Sequence, residues 1–243
     1  MDSFQEISKS QFKLIKALAT KRYRIKHNLF IAEGRKVLQE LFSSNLRVKK
    51  CWLTETDGIP KNIEYELISK ENLALISHLQ NPHYGLAIVE IAEPEKPLKE
   101  KVQLVLDGIA DPGNLGTIIR LADWYGIKNI FCTNNCVDAY NPKVVQATMG
   151  SLFRVKVNYL TEKEIDFNKN VIATVINGDS IYNLNELNEC TIVIGSEAEG
   201  ISPTLLEYCD KSISIPKRGK AESLNAGVAT GIILDRVTQL IYS

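Results

Sequence analysis

The sequence of 243 residues is long enough for one large domain or two modest ones, and 44% hydrophobic with 24% charged residues is ordinary for a globular protein. No stretch reaches the roughly 20 apolar residues of a membrane-spanning helix, and the first residues lack the apolar centre of a signal peptide. These observations exclude a membrane-spanning helix and predict a cytoplasmic protein.

The net charge of zero hides an asymmetry along the chain. Of the 29 basic and 29 acidic residues, 12 and 4 lie in residues 1–50, whereas 17 and 25 lie in the rest. A basic segment attached to an acidic remainder is typical of a protein whose first part binds a polyanion. A lysine-rich, solvated helix face gives the same composition, so charge alone favours nucleic acid only slightly.

The cysteines and histidines form no pattern that binds a metal. The five cysteines are odd in number and scattered through apolar segments: Cys51, Cys132, Cys136, Cys190 and Cys209. Three histidines lie elsewhere and complete no ligand set with the spacing of a zinc site. We therefore expect reduced, partly buried thiols, no disulfide and no metal.

The clearest domain boundary is the segment AEPEKPLKE, where two prolines and a run of charges separate apolar stretches. We predict a first lobe over residues 1–92, a linker over 93–100 and a second domain over 101–243. In the first lobe, Ser8 or Ser10 caps a helix whose apolar face carries Ile15 and Leu18, with lysines off that face. A second helix including Val37–Phe42, the strand VKKCWL, a helix over Leu73–Leu79 and the strand YGLAIVEI follow.

After the linker, strands and helices alternate strictly. The predicted strands are VQLVLD, NIFCT, FRVKV, NVIATVI, TIVIG and SISIP, with helices near Leu115–Tyr125, over Val144–Met149 and over the last twenty or so residues. This alternation predicts an α/β fold with a mostly parallel sheet that is covered on both faces. Ligands bind such sheets in the loops at the carboxyl ends of the strands.

Three loops of the second domain have unusual content. In DGIADPGNLGTIIR (107–120), Asn114 lies near a helix start and Arg120 lies one to two turns into the helix, although a helix cap and a surface arginine would explain both. GSEAEG (195–200) places two carboxylates between glycines after a buried strand. It is not a P-loop, and carboxylates would repel phosphates, so it favours a cationic ligand or one with hydroxyls and amines. IPKRGKAESLN (215–225) is basic and leads into the last helix, which Ser223 could cap.

The three loops, extended to DPGNLGTIIRLADWYG, IVIGSEAEGIS and ISIPKRGKAESLNAGVATGI, resemble in order and spacing the signature motifs of the SpoU/TrmH family of SPOUT-class RNA methyltransferases. They span nearly all of residues 101–243. The N-terminal part is similar, more loosely, to the small ribosomal-protein-like RNA-binding domain that often precedes this catalytic domain. The resemblance implies a deep trefoil knot, a homodimer with the cofactor site at its interface, and methyl transfer from S-adenosyl-L-methionine to a ribose 2′-hydroxyl in structured RNA.

The resemblance also implies roles for individual residues. The cofactor's adenine would be held by Gly195, Ile215 and Leu224. Arg120 would act at the ribose hydroxyl, either as a base or as a clamp that fixes the RNA phosphate and polarises the hydroxyl. The groups that orient Arg120, the cofactor and the ribose would be Asn114, Glu197, Ser223 and Asn225, with Glu199 a weaker candidate.

Some positions depart from the family pattern, and other functions stay open. Lys217 stands where the family often has methionine, Ala226–Gly227 stands where it often has Val-Ser, and NPHYGLAIV lacks a common glutamine. A non-catalytic RNA-binding protein would lack Arg120, Asn114 or Asn225, and a base-methylating SPOUT enzyme usually lacks the NLGxxxR block. A generic nucleotide-binding protein would have a phosphate-binding motif. Ribosomal RNA is slightly favoured over transfer RNA as the substrate, which would give a role in rRNA processing, because a separate RNA-binding lobe is present.

Overall fold

The computed structural model describes residues 4–93, 97 and 99–243, so that residues 94–96 and 98 of the predicted linker lie outside the described residues. The chain divides into two compact units, residues 1–93 with 138–153, and residues 94–137 with 154–243. It therefore passes between the units at three places. The segment 138–153 belongs to the first unit although it lies in the second half of the chain. Among the described residues, no helix is long and apolar enough to cross a membrane.

The first unit is a four-stranded sheet flanked by short helices. Its elements are α1 (Lys9–Ala17), α2 (Lys21–His27), β1 (Leu29–Glu33), α3 (Arg35–Phe42), β2 (Val48–Leu53), β3 (Glu66–Leu67), α4 (Lys70–Ile76), β4 (Gly85–Glu90) and α6 (Pro142–Ala147). The strand order is β1-β4-β2-β3, and only the β2–β3 pair is parallel. Ser8, not Ser10, caps α1 in a capping box with Gln11. The fully buried Ile15, Leu18 and Trp52 belong to one core cluster.

Three elements of this unit, α2, β1 and the two-residue strand β3, were not predicted from the sequence. Helix α2 has no apolar stripe, because Arg24 is its one buried residue, and helix prediction relies on such a stripe. The helix predicted at Val37–Phe42 is α3. Helix α6 packs against β1, and the Phe30 ring of β1 lies 4.9 Å from the Tyr140 ring and 6.4 Å from the Phe153 ring, centroid to centroid.

Arg24 joins α2 to the segment 138–153. Its guanidinium is 2% exposed and donates to Asp138 Oδ2 from Nε at 2.9 Å and from Nη2 at 2.6 Å. Nη1 donates at 2.8 Å to the carbonyl oxygens of Leu18 and of Ala19. A buried charge is tolerated only when its donors are paired in this way.

Replacing Arg24 by alanine is expected to lower the free energy of unfolding by about 3–5 kcal/mol, because it leaves the Asp138 carboxylate unpaired and nearly buried. Urea denaturation followed by circular dichroism measures the change. Arg22→Ala on the same helix removes an exposed guanidinium and should cost at most about 0.5 kcal/mol. Equal losses in the two variants would show that the buried pair does not hold α2.

The second unit is a six-stranded sheet, and all of its strand pairs are parallel, which confirms the predicted α/β class. Its elements are β5 (Val102–Leu106), α5 (Pro112–Trp124), β6 (Asn129–Cys132), β7 (Lys156–Tyr159), β8 (Val171–Ser180), β9 (Cys190–Ile194), α7 (Pro203–Leu206), β10 (Lys211–Ser214) and α8 (Ala226–Tyr242). The order is β10-β8-β9-β5-β6-β7. Every residue of β5 and β9 is buried, as expected for central parallel strands.

Several predicted boundaries shift. Helix α5 begins at Pro112, three residues before Leu115, and Asp111 caps it. Proline fits the first helical turn because its missing N–H has no partner there. The helix predicted over Val144–Met149 is Pro142–Ala147, since Met149 has a left-handed φ of 51°.

Candidate active site

The site lies at a switch in strand order. The chain leaves β5 towards β6 on one side, while β9 pairs with β5 on the other, with Leu106 opposite Ile194. The loops that begin at Asp107 and at Gly195 therefore leave the same sheet edge side by side. Open parallel sheets bind their ligands at such a point.

Three predicted residues, one from each unusual loop, form a hydrogen-bonded cluster. Asn225 Nδ2 donates to Asn114 Oδ1 at 2.6 Å and to Glu197 Oε1 at 3.0 Å. Asn114 Nδ2 donates to the same carboxylate oxygen at 2.9 Å, and the backbone N–H of Ala226 does so at 3.0 Å. One carboxylate oxygen of Glu197 therefore links the loop after β9 to both of the other loops. We refer to Asn114, Glu197 and Asn225 as the amide–carboxylate cluster.

The starts of two helices position this cluster. Asp111 Oδ1 accepts the N–H of Asn114 at 2.8 Å and so caps α5. Asn225, not Ser223, caps α8, because its Oδ1 accepts the N–H groups of Gly227 at 3.1 Å and Val228 at 3.3 Å. The Asn225 side chain therefore serves two purposes: its oxygen caps the helix while its nitrogen binds the cluster. A serine hydroxyl has a single hydrogen to donate, so it could not replace both of the hydrogen bonds that Asn225 Nδ2 donates.

The loop after β9 folds back on itself closely. Ser196 and Gly200 exchange two backbone hydrogen bonds of 3.0 Å, and the N–H of Glu199 donates to Ser196 Oγ at 3.1 Å. A Cβ at Gly195 would lie 2.2 Å from the carbonyl carbon of Gly200. Glycine is required at position 195 because any side chain would collide with backbone. The side chain of Glu199 makes no hydrogen bond to the cluster within residues 99–243.

Asp107 is a positioning residue that sequence reasoning did not single out. The side chain is buried, and its Oδ1 accepts a hydrogen bond of 2.9 Å from Thr133 Oγ1. Its Oδ2 accepts the backbone N–H of Ser202 at 2.7 Å. The carboxylate thereby joins the ends of β5 and β6 to the far end of the 195–202 loop. The available signal was a carboxylate that directly follows a fully apolar strand.

Two buried thiols lie against the first loop. The N–H of Ile109 donates to Cys136 Sγ at 3.3 Å. A hydrogen bond from the Cys132 thiol, helped by the Ile109 N–H, lowers the pKa of Cys136 to about 7 against the opposing effect of burial. Burial raises the pKa of Cys132 well above its ordinary value. All five cysteines are free thiols, and Cys209 is less buried than the others.

The remaining predicted residues lie on the same loops and helices without joining the cluster. Arg120 is exposed on α5, and its guanidinium makes no hydrogen bond or ion pair within the described part of the chain. Ser223 is exposed, Leu224 is 46% exposed and Ile215 is half-buried. The three basic residues of the third loop, Lys217, Arg218 and Lys220, are exposed as well.

The side chains of this site suit a ligand with a positive charge and a flat apolar part. Glu197 is exposed, and its Oε2 accepts no hydrogen bond among the described residues, which leaves a carboxylate oxygen for a cationic group. The accessible Leu224 side chain offers apolar contact. Among the described residues, no three His, Cys, Asp or Glu side chains cluster as metal ligands would.

Comparisons with known proteins match both parts of the chain. The profile of the SpoU rRNA Methylase family matches residues 101–235, and that of the MRM3-like substrate binding domain matches residues 9–87. The 23S rRNA (guanosine(2553)-2′-O)-methyltransferase RlmP of Bacillus subtilis is 28% identical, over 96% of this chain and 98% of its own length. An uncharacterized tRNA/rRNA methyltransferase of Synechocystis is 31% identical, over 72% of this chain and 67% of its own length.

A solved structure covers nearly the whole molecule. The AdoMet-bound rRNA methyltransferase of Sinorhizobium meliloti superposes with a TM-score of 0.83 at 26% identity, over 98% of each chain. The fold is thus shared with an rRNA methyltransferase that was crystallised with AdoMet bound.

Proposed function

Because this chain belongs to the SpoU rRNA Methylase family, we propose that it transfers a methyl group from S-adenosyl-L-methionine to a ribose 2′-hydroxyl of ribosomal RNA. The observation that carries the proposal is the amide–carboxylate cluster. It brings the three family motifs together at the sheet edge where a ligand binds. The carboxylate of Glu197 suits the positive charge of the cofactor's sulfur.

When bound, S-adenosyl-L-methionine supplies an activated methyl group on a positively charged sulfur. The chain's own residues would hold it in two ways. Gly195, Ile215 and Leu224 would contact the adenine, and Glu197 would balance positive charge with its second carboxylate oxygen. Asn114 and Asn225 fix that carboxylate through Oε1, so its position does not depend on the ligand.

The second requirement is to activate the ribose hydroxyl, which is a weak nucleophile. The 2′-oxygen would bond to the methyl carbon as the bond from that carbon to sulfur breaks and leaves a neutral thioether, and the hydroxyl proton must leave as well. We assign this role to Arg120, which follows Asn114 on α5 by less than two turns. Its guanidinium makes no hydrogen bond or ion pair within the described residues. Arg120 in its neutral form would accept that proton; as a cation it would instead fix the neighbouring phosphate and polarise the hydroxyl, and the proton would pass to water. Ser223 would orient the ribose.

A homodimer, a trefoil knot in the C-terminal chain and a cytoplasmic location belong to the same proposal. The exposed faces of α5 and α8 support the homodimer, because Trp124 is 83% exposed and Val228 is 52% exposed. Contiguous exposed apolar patches mark association surfaces, and α5 and α8 lie side by side. The backbone contact between Gly195 and Gly200 supports a tightly wound segment after β9.

Ribosomal RNA is favoured over transfer RNA because the B. subtilis relative that aligns along nearly the full length is named for 23S rRNA. A match to a substrate binding domain over residues 9–87 supports a large RNA that needs a separate binding unit.

The test is methyl transfer from radiolabelled S-adenosyl-L-methionine to total RNA from a strain that lacks this gene. We expect label in alkali-resistant dinucleotides, since a 2′-O-methyl group blocks cleavage of the adjacent phosphodiester. We also expect the labelled RNA to migrate with the large ribosomal RNA. RNA from the parent strain, already methylated, is the control and should accept little label. Label in a free base, or in transfer RNA, would contradict the proposal.

A further inference from the structure

Helix α2 displays almost its whole sequence to solvent. Of its seven residues only Arg24 is buried. A helix this short is unstable alone and normally depends on an apolar face packed against a core. Here the contacts of Arg24 with Asp138 and with the carbonyls of Leu18 and Ala19 attach the helix instead. Arg22, Tyr23, Ile25, Lys26 and His27 are therefore exposed to solvent.

The exposed side of α2 is basic. At about 100° per residue, Arg22 and Lys26 lie together on the side opposite Arg24. Within the described residues, neither makes a hydrogen bond or an ion pair. No Asp or Glu occurs between Ile7 and Ala32 to neutralise them. In contrast, Lys16 of α1 is already engaged, because its Nζ donates to the carbonyl oxygen of Ser77 at 3.2 Å.

Beside these cations lies a pair of parallel aromatic rings. The rings of Tyr23 and His27 are 6.3 Å apart between centroids, with an angle of 7° between their planes. Tyr23 is 42% exposed, and His27 is exposed too. Unpaired RNA bases stack on aromatic side chains, while basic side chains bind the phosphates that connect those bases. Bases within a duplex do not offer their faces.

We propose that Arg22, Tyr23, Lys26 and His27 form the surface that holds unpaired nucleotides of the RNA substrate. A base stacks on the Tyr23–His27 pair, and Arg22 and Lys26 bind phosphates. The proposal rests on the proposed function in taking RNA as the partner, and it narrows the substrate class to RNA with an unpaired segment. If a peptide were the partner of this helix, Tyr23→Ala would leave oligouridylate binding unchanged. If an RNA duplex were the partner, Tyr23→Ala would weaken duplex binding as well.

The experiment measures fluorescence anisotropy of a fluorescein-labelled oligouridylate and of a labelled RNA duplex of equal length, using the full chain without cofactor. Tyr23→Ala should weaken oligouridylate binding about tenfold, as expected for losing one base stacked on an aromatic ring, and should leave duplex binding unchanged. Tyr23→Phe should keep wild-type affinity. Tyr65→Ala is the matched control, because Tyr65 is 40% exposed on the same unit, and it should change neither affinity.

The cations are tested through the salt dependence of binding. Combining Arg22→Gln with Lys26→Gln should reduce the slope of log K against log salt concentration by about 1.4, or about 0.7 for each phosphate of a single strand that the protein no longer neutralises. Lys61→Gln, at an exposed position of the same unit, should leave the slope unchanged.

Unchanged oligouridylate binding by Tyr23→Ala, an equal loss in Tyr65→Ala, or a parallel loss on the duplex would overturn the proposal. These readouts need no methyl transfer. If total RNA accepts no label while Tyr23→Ala still loses oligouridylate binding, the proposed activity is wrong and the binding surface stands. If RNA is methylated while Tyr23→Ala binds oligouridylate normally, the proposed activity stands and the proposed binding surface is wrong.

Discussion

Replacing Arg120 by alanine is expected to lower the rate of methyl transfer at least about 100-fold, the low end of what a positioned acid–base group contributes. The side chain is exposed on α5 and makes no contact within the described residues that would stabilise the fold. Its removal should therefore leave the unfolding free energy and cofactor affinity unchanged. Single-turnover methylation, urea denaturation and isothermal titration calorimetry measure the three quantities.

Lys128→Ala is the matched control for this change. It also removes one exposed positive charge from the second unit. Lys128, however, directly precedes β6 and so lies at the amino ends of the parallel strands, whereas the candidate site lies at their carboxyl ends. Methyl transfer by this variant should equal that of the wild type. Similar losses of activity in both variants would show that Arg120→Ala acts only by lowering the overall positive charge.

The kinetics of the Arg120 variant also separate its two candidate roles. A residue that only accepts the proton acts in the transition state, so its loss lowers kcat and leaves KM for RNA unchanged. A clamp on the RNA phosphate also holds the bound substrate, so its loss raises KM as well. Arg120→Lys keeps a positive charge, and it should restore much of the lost affinity if Arg120 is a clamp.

Replacing Gly195 by alanine is expected to weaken S-adenosyl-L-methionine binding at least about tenfold, equivalent to about 1.4 kcal/mol. The new Cβ would lie 2.2 Å from the carbonyl carbon of Gly200 and 2.5 Å from the nitrogen of Ile201. Because both atoms are backbone, the loop must move, and Glu197 must leave the amide–carboxylate cluster with it. We expect the unfolding free energy to fall by about 1–3 kcal/mol, as is typical of overpacking.

Gly219→Ala provides the comparison, because Gly219 lies in the third loop and a Cβ there meets no atom within 4 Å. This variant should bind the cofactor with wild-type affinity and unfold at the same urea concentration. Calorimetric titration and urea denaturation of the two variants in parallel test the argument. Wild-type affinity in Gly195→Ala would show that the loop after β9 does not contact the cofactor.

Local sequence patterns determined the architecture of the second unit. The continuous apolar runs of β5 and β9 predict central parallel strands, since such strands are buried on both faces. The polar content of the loops after these strands pointed to the functional edge of the sheet. Asn114, Glu197 and Asn225 were all identified from the sequence, although their mutual contacts were not.

The helix caps mark the limit of local reasoning. Both Ser223 and Asn225 have side chains that can cap α8. The choice falls on Asn225 because its nitrogen also binds Glu197, which is 28 residues away along the chain. The same holds for α5, where Asp111 caps the helix and frees Asn114 for the cluster. Sequence alone ranks caps by residue type, whereas the folded chain selects the cap that satisfies two sets of partners.

What the sequence by itself determined is therefore the sheet class, the six strands of the second unit and the three residues that the fold brings together, Asn114, Glu197 and Asn225. The tertiary structure alone decided that residues 138–153 join the first unit, and that Arg24 is buried while Arg22 and Lys26 are exposed. The physical reason is the separation of the partners. A buried arginine is stable only beside its carboxylate, and Asp138 lies 114 residues further along the chain, where no local periodicity can register it.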